Sequence, residues 1–155
     1  MRVILQRVRQ ASVSVNDEVI GSINQGYLLL VGFTHTDTLD DVQHLAKKIA
    51  QMRLFSDNEG KMNLPLSTLP DGQILSISQF TLYADCRHGN RPSFINAARP
   101  AQAELLYDAF NKVLSSDYHI PLQTGHFGAD MQVSLINDGP VTIILDTEEM
   151  RKGDV

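Results

Sequence analysis

The strongest constraint on the fold is a period of two in the side chains near the start of the chain. Residues Ala11–Val15 alternate apolar valine or alanine with serine, and Val3–Val8 before them follow the same period. Successive side chains of a strand point to opposite faces of a sheet, so this period predicts strand. A turn at Asn16-Asp17, a second strand at Val19–Ile23 and a buried strand at the continuous apolar run Tyr27–Val31 complete an antiparallel meander.

The hydrophobic period then changes to that of a helix in two places. Apolar residues at helical spacing predict a helix over Leu39–Arg53, and Thr38 with Asp41 resembles a capping box at its start. Pro100 suits the first turn of a second helix, because its missing N–H is not needed there. The apolar face predicted for this second helix comprises Ala103, Leu106, Tyr107, Phe110, Val113 and Leu114.

Three more strands are predicted, at Ile74–Leu82, Met131–Ile136 and Val141–Leu145, the last two separated by a turn. Many strands with two helices indicate an α+β fold. We expect a single domain over residues 1–147, with a curved, mostly antiparallel sheet or open barrel and two main helices packed on it. Residues 148–155 form a charged C-terminal tail that we expect to fray.

Length and charge narrow the possible functions. A chain of 155 residues fits one domain, and the single cysteine, Cys86, rules out an intrachain disulfide. The formal net charge of −5 argues against broad, non-specific binding of nucleic acid. One segment, Arg87–Arg99, holds three arginines and no acid. It is either a solvated basic loop or a local surface for nucleic acid.

The location and the cofactor requirement are also constrained by the sequence. The first apolar run, Val3–Leu5, is too short for a signal peptide, and no stretch approaches the roughly 20 apolar residues of a membrane span, so we expect a cytoplasmic protein without a membrane partner. The sequence has no GxSxG, P-loop or HExxH motif. Its five histidines are scattered, and none pairs with another histidine or Cys86 at metal-ligand spacing. We therefore expect no metal and no cofactor.

Two short segments carry unusual chemistry. Polar residues at Ser78–Thr81 follow an apolar strand, so they lie near the edge of the core. A regular strand would put Ser78 and Thr81 on opposite faces, so a shared site requires a bend or a role for the backbone. In Asn137–Thr142, Gly139 permits unusual backbone angles, and the Gly-Pro bond can be cis. Each segment alone favours ordinary structure, an amphipathic strand and a rigid turn.

Taken together, the motifs resemble those of the D-aminoacyl-tRNA deacylases of the bacterial and eukaryotic type. The resemblance extends from Met1 to about Leu145, and the ordered set is specific where any one piece would be weak. The matching pieces are Arg2–Val8 with Ala11–Val13, Phe55–Asp57 with Gly60–Asn63, Ser78–Leu82, Arg91–Phe94, Thr124-Gly125 with Phe127, Ala129–Met131 and Asn137–Thr142.

The resemblance implies a homodimer with its active sites at the subunit interface. The implied catalytic residues, which line the pocket for the ester-linked amino acid, are Ser78, Gln79, Phe80 and Thr81. Gly139 and Pro140 would form a Gly-cisPro element that enters the partner subunit's pocket, with Arg7 holding it in place. Asn137, Thr142 and Met131 are the remaining implied substrate-binding residues.

The implied reaction is hydrolysis of the ester that joins a D-amino acid to the 3′ end of tRNA, with rejection of L-aminoacyl substrates. Glycine has no side chain to reject, so glycyl-tRNA should also be accepted. No histidine or lysine is evident as a base for Thr81, so we favour attack by water over attack by Thr81. The alternatives are an editing hydrolase of the same fold for an L-aminoacyl-tRNA, or a non-catalytic dimer that binds nucleic acid.

Overall fold

The computed structural model describes residues 1–153: a six-stranded mixed sheet with helices packed on one face, and a separate two-stranded antiparallel sheet. In chain order the strands are β1 (Arg2–Val15), β2 (Glu18–Ile23), β3 (Gly26–Gly32), β4 (Arg53–Ser56), β5 (Met62–Pro65), β6 (Gln73–Ser78), β7 (Leu122–Thr124) and β8 (Gln132–Asp146). The helices are α1 (Leu39–Gln51), α2 (Pro100–Lys112) and α3 (Thr147–Lys152). Short 3-10 turns cover Leu66–Thr68 and Phe80–Tyr83, and a π-helical turn, Val113–Asp117, follows α2.

The predicted meander is present. β1 pairs antiparallel with β2 and β3 on one side and with β8 on the other. The β1–β2 connection is a two-residue turn in which Asn16 and Asp17 have φ of 50° and 64°. Asn and Asp tolerate this left-handed conformation better than other residues with a side chain, which explains the turn at this position.

The sheet curls until it nearly closes. β6 pairs parallel with β3, and β7 pairs parallel with β6, so the order is β2-β1-β3-β6-β7 with β8 beside β1. At the far side of the sheet β2 comes close to β7. A Cβ placed on Gly21 of β2 would lie 2.9 Å from the carbonyl oxygen of Thr124 in β7. The predicted fold class, a single α+β domain with an open barrel and two main helices, is confirmed.

Alternation along the strands produces two cores. On β3, Tyr27, Leu29 and Val31 face the layer of α1 and α2, whereas Leu28 faces the inside of the curled sheet with Leu75. All six apolar residues predicted for the face of the second helix are buried, four of them in α2 and Val113 and Leu114 in the π-helical turn after it. Burial of each large apolar side chain contributes about 1.5–3 kcal/mol, so these two cores hold the barrel and the helix layer together.

Three predicted strands differ from the structure in ways that shape the site. The strand predicted over Ile74–Leu82 ends at Ser78, and the chain then enters the 3-10 turn. The strands predicted at Met131–Ile136 and Val141–Leu145 are one strand, β8, so Asn137–Pro140 is not a turn between strands. The reason is long-range: β1 is long enough to pair with both halves of β8, and the residues between them form a bulge.

The predicted frayed tail is wrong for the residues that the structure describes. Thr147–Lys152 form α3, whose first turn is capped by the Asp146 carboxylate, which accepts the Glu148 N–H at 2.9 Å. Arg151 forms an ion pair with Asp41 of α1. Residues 154 and 155 of the predicted tail lie outside the described residues. Within residues 1–153, no helix combines the length and apolarity that a membrane span needs.

Candidate active site

A cavity of about 670 Å³ opens beside the end of β6. Its lining is mostly apolar, and the only ionisable residues in it are Arg99 and Asp130. Ser78, Gln79, Phe80 and Met131 of the predicted site residues line this cavity. A largely apolar cavity with a few converging polar groups is the common form of a small-molecule site.

The segment Ser78–Thr81 bends where the strand ends. The Gln79 N–H still donates to the Val31 carbonyl of β3 at 2.7 Å, but Leu82 N–H already donates back to the Gln79 carbonyl at 3.2 Å. The N–H groups of Phe80 and Thr81 therefore begin a 3-10 turn, and the first N–H groups of a helix have no acceptor within it. Because the strand ends at Ser78, the alternation of faces in a regular strand no longer applies to Thr81.

Thr81 itself does not line the cavity but is tied to a residue that does. The side-chain amide of Gln79 donates to Thr81 Oγ1 at 2.6 Å. Gly32 makes the close packing of this segment possible, because a Cβ there would lie 2.9 Å from the Gln79 carbonyl oxygen and 3.1 Å from Leu82 Cβ. The geometry of the 3-10 turn thus depends on a glycine in the neighbouring strand.

Arg2 holds the far end of the same turn. Its Nη1 donates to the Leu82 carbonyl at 2.6 Å, its Nε donates to Asp146 Oδ2 at 2.8 Å, and its guanidinium lies 4.8 Å from the centre of the Tyr83 ring. Burial alone would raise the pKa of Asp146. The hydrogen bonds from Arg2 and from the Glu148 N–H outweigh that effect and hold the pKa of this carboxyl below its ordinary value.

The second predicted segment forms the bulge of β8. Gln6 is paired with Thr142 and Val8 with Asn137, so four residues of β8 lie opposite Arg7 alone. The Gly139-Pro140 peptide bond inside this bulge is cis, and both residues are exposed. The Asn137 side chain spans the bulge, accepting the Val141 N–H at 2.9 Å and donating to Thr142 Oγ1 at 3.0 Å.

Arg7 holds the bulge from below. Its Nε donates to the Asp138 carbonyl at 2.9 Å, and its Nη1 donates to the Leu54 carbonyl of β4. Gly139 has a φ of 140°, and a Cβ there would lie 2.8 Å from Val141 Cγ2 and 3.2 Å from Arg7 Nη2. Only glycine fits this position without displacing its neighbours.

The structure does not bring the two segments together within one chain. The cavity is lined by Ser78–Phe80 and Met131, but not by Arg7 or by any residue of the bulge from Asn137 to Thr142. Among the described residues, no three His, Cys, Asp or Glu side chains form a cluster that could hold a metal ion.

The similarity of the chain to known proteins gives this cavity a chemical context. Residues 4–146 match the protein family described as D-Tyr-tRNA(Tyr) deacylase, which is nearly the whole chain. The chain belongs to this family. The predicted family and reaction class are therefore confirmed: members of the D-Tyr-tRNA deacylase family are hydrolases of the ester bond in D-aminoacyl-tRNA.

Solved structures agree with this fold. The chain is similar to a c-Myc DNA unwinding element binding protein, with 39% identity and a TM-score of 0.87, over 95% of this chain and 99% of the other. It is also similar in fold to a probable eukaryotic D-amino acid tRNA deacylase, with 18% identity and a TM-score of 0.80, over 93% of this chain and 97% of the other.

Several cavity residues of this deacylase family member had no predicted role. Phe94, Phe127 and Asp130 belong to the motifs that carry the resemblance, and Arg99 with Pro100 begins α2. Phe94 packs against Phe80 with ring centres 5.1 Å apart and an interplanar angle of 71°. Both rings are partly exposed, which is unusual for aromatic residues. The signal in the sequence for Phe94 is an aromatic residue within a polar loop.

Proposed function

We propose that the cavity binds the ester-linked amino acid of D-aminoacyl-tRNA and that the N–H groups of Phe80 and Thr81 stabilise the oxyanion formed during hydrolysis. The observation that carries this proposal is the bend at Ser78–Thr81, which begins a 3-10 turn whose first two N–H groups have no acceptor within the turn. The first of these N–H groups belongs to Phe80, which lines the cavity. Donors held in place before the reaction stabilise developing charge without a cost of reorganisation.

The attacking group in this proposal is water. Thr81 Oγ1 already accepts a hydrogen bond from the Gln79 amide, and an amide N–H cannot take a proton from the hydroxyl. The cavity lining holds no histidine or lysine that would act as a base for Thr81. Water adds to the ester carbonyl carbon, the bond to the ribose 3′ oxygen breaks, and a proton passes to that oxygen with assistance from the neighbouring 2′-OH. The products are the free amino acid and tRNA.

Chirality is selected by the bulge of β8. The exposed main-chain carbonyls of Gly139 and Pro140 accept hydrogen bonds from the substrate's α-ammonium group, as the family resemblance implies. Arg7 and Asn137 hold this backbone in place, so its carbonyls do not move aside for an L side chain. A D side chain points out of the pocket, and main-chain recognition tolerates many side chains. Glycine presents nothing to exclude, so glycyl-tRNA is a second substrate.

The active enzyme is a homodimer in this proposal. Gly139 and Pro140 do not line the cavity of their own chain, so they act in the cavity of a second copy. β8 supports this arrangement, because within residues 1–153 it pairs only with β1 and so offers its other edge. It also exposes Ile136 by 49% and Ile144 by 66%, apolar side chains that an interface would cover.

The cytoplasm is the proposed location. Cys86 is a free, exposed cysteine, which suits a reducing compartment. The proposed partner is the 3′ end of aminoacyl-tRNA, and neither a membrane nor a cofactor enters the reaction as proposed.

The test is a panel of charged tRNAs: D-Tyr-tRNA, L-Tyr-tRNA, Gly-tRNA and L-Ser-tRNA, with release of amino acid measured against a no-enzyme control. We expect turnover of D-Tyr-tRNA, weaker turnover of Gly-tRNA, and none of L-Tyr-tRNA. Turnover of L-Ser-tRNA alone would instead identify an editing hydrolase for an L-amino acid. A protein that only binds nucleic acid, as the name of the c-Myc DNA unwinding element binding protein describes, would release nothing.

A further inference from the structure

One wall of the cavity is formed by the start of α2 and by the loop that precedes it. This loop is positively charged. The basic loop, Arg87–Arg99, contains three arginines, and no Asp or Glu occurs between Asp85 and Glu104. The chain as a whole has a formal net charge of −5, so positive charge is concentrated here against the overall trend. Concentrated charge of one sign beside a cleft attracts a ligand of the opposite sign.

The basic loop is fixed to the body of the protein rather than solvated freely. Asp85 and Ser93 exchange two backbone hydrogen bonds of 2.7 and 2.9 Å across its base. Thr34 Oγ1 donates to the Asn96 carbonyl at 2.6 Å, and the His35 ring lies 2.6 Å from the Ile95 carbonyl. The position of the loop relative to the cavity is therefore set by the fold.

The three arginines are not equivalent. Arg87 binds Asp85 through Nε at 2.9 Å and Nη2 at 2.7 Å, and this pairing lowers the pKa of Asp85 to about 2. Arg91 and Arg99 are exposed and form no ion pair within the described part of the chain. Arg99 lines the cavity and precedes α2, whose first turn contains no acidic residue.

We propose that Arg91 and Arg99 bind backbone phosphates at the acceptor end of the tRNA whose 3′ ester occupies the cavity. This inference rests on the proposed function, since the ester in the cavity determines where the adjoining nucleotides run. The guanidinium group matches phosphate in shape and charge. Arg99 lies in the cavity wall, and Arg91 lies three residues before Phe94, which lines the same cavity. Arg87 contributes less, because Asp85 already accepts its hydrogen bonds.

Binding is tested first, without any reaction. An uncharged RNA hairpin with the acceptor stem and single-stranded 3′ end is titrated by fluorescence anisotropy against the wild-type protein, R91Q, R99Q and the double variant. Lys112→Gln is the matched control, because Lys112 is at the other end of α2, about 18 Å from its start at 1.5 Å per residue. We expect each arginine variant to bind about fivefold more weakly and the double variant about 25-fold.

The salt dependence distinguishes phosphate contacts from a change in pocket shape. Each lost phosphate contact should reduce the slope of log K against log salt by about 0.7–0.9. K112Q should keep the wild-type affinity and slope. Wild-type RNA affinity in R91Q/R99Q, or a wild-type protein that does not bind the hairpin at all, would overturn the inference whatever the catalytic result.

Kinetics separate this inference from the proposed function. R91Q/R99Q should lower kcat/KM for D-Tyr-tRNA by about the same factor as it lowers binding, and through KM. R91Q alone, at a residue outside the cavity lining, should leave kcat/KM for D-tyrosyl-adenosine unchanged, because that substrate has no phosphate. An equal loss on both substrates would show that the arginines shape the pocket and would contradict the inference. If the wild-type protein cleaves neither substrate, the proposed function fails while the binding data still decide the role of the arginines.

Discussion

Arg7 Nε lies 2.9 Å from the carbonyl oxygen of Asp138, so a side chain of β1 supports the backbone immediately before Gly139. The same guanidinium donates to the Leu54 carbonyl of β4, and the Arg7 side chain is only 12% exposed. One side chain therefore ties the bulge of β8 to the β4 strand. In the proposed function, this contact sets the geometry of the chirality filter.

Replacing Arg7 by lysine should loosen the bulge while keeping the charge. A lysine ammonium does not reproduce the planar fork that reaches two carbonyls, so one carbonyl loses its donor at a cost of about 1–3 kcal/mol in the free energy of unfolding. We expect kcat/KM for D-Tyr-tRNA to fall about tenfold or more, with a smaller D/L ratio. Arg9→Lys is the control, because Arg9 also approaches Asp138 but is 74% exposed. R7K with wild-type chirality and rate would contradict a supporting role for Arg7.

Gly139→Ala should damage catalysis more than it damages the fold. The added Cβ would lie 2.8 Å from Val141 Cγ2, at a φ of 140° that L residues rarely adopt, so the exposed bulge must shift. We expect at least a tenfold loss of kcat/KM for D-Tyr-tRNA. The matched control is Gly60→Ala, where φ is also positive at 77° but nothing lies within 4 Å of the new Cβ. Equal rates for the two variants would remove Gly139 from the proposed site.

Thr81→Val should slow hydrolysis without abolishing it. The substitution keeps the shape but removes the hydroxyl that accepts from Gln79, so the 3-10 turn and its N–H groups are held less well. We expect kcat to fall by no more than about a hundredfold, measured by single-turnover release of D-Tyr. Thr81→Ser should retain most activity in either mechanism. Complete loss in T81V together with an acyl-enzyme trapped in the wild-type protein would favour Thr81 as the nucleophile.

The free energy of unfolding should fall at acidic pH as Asp146 becomes protonated. Its pKa in the folded state lies below the ordinary 3.8, despite burial, because of the hydrogen bonds from Arg2 and Glu148. A carboxyl whose pKa is lower in the folded state than in the unfolded state stabilises the fold fully at a pH above its unfolded-state pKa. That contribution is lost as the pH falls through its folded-state pKa.

Urea unfolding from neutral pH to about pH 3 measures this effect. Asp146→Asn should reduce the free energy of unfolding by about 1–2 kcal/mol at neutral pH, and its curve should approach that of the wild type in acid. Asp108→Asn, an exposed site on α2, should parallel the wild-type curve. A constant difference between D146N and wild type at all pH values would exclude Asp146 as the titrating group.

Local pattern was sufficient for the elements whose shape depends on their own side chains. The period of two in β1 and the helical spacing in α2 predicted strand and helix, because side-chain direction follows from the backbone of each element. The motifs at Ser78–Thr81 and Asn137–Thr142 were also recognisable in the sequence, since residue identity alone carries a family resemblance.

Contacts between distant residues decided the rest. β6 ends at Ser78 with the 3-10 turn packed against Gly32, and β8 stays one strand because β1 pairs with both its halves. The basic loop becomes the edge of the cavity because hydrogen bonds to distant residues, including residues 33 to 35, hold it there.

The sequence by itself determined the opening meander, the two main helices, the fold class and the two motifs. The tertiary structure alone decided that the bulge lies within one strand, which carbonyls Arg7 binds there, and that Phe94 and Arg99 line the cavity. The physical reason is range: periodicity and turn chemistry act over a few residues, whereas strand pairing and cavity walls join residues that are far apart in the chain.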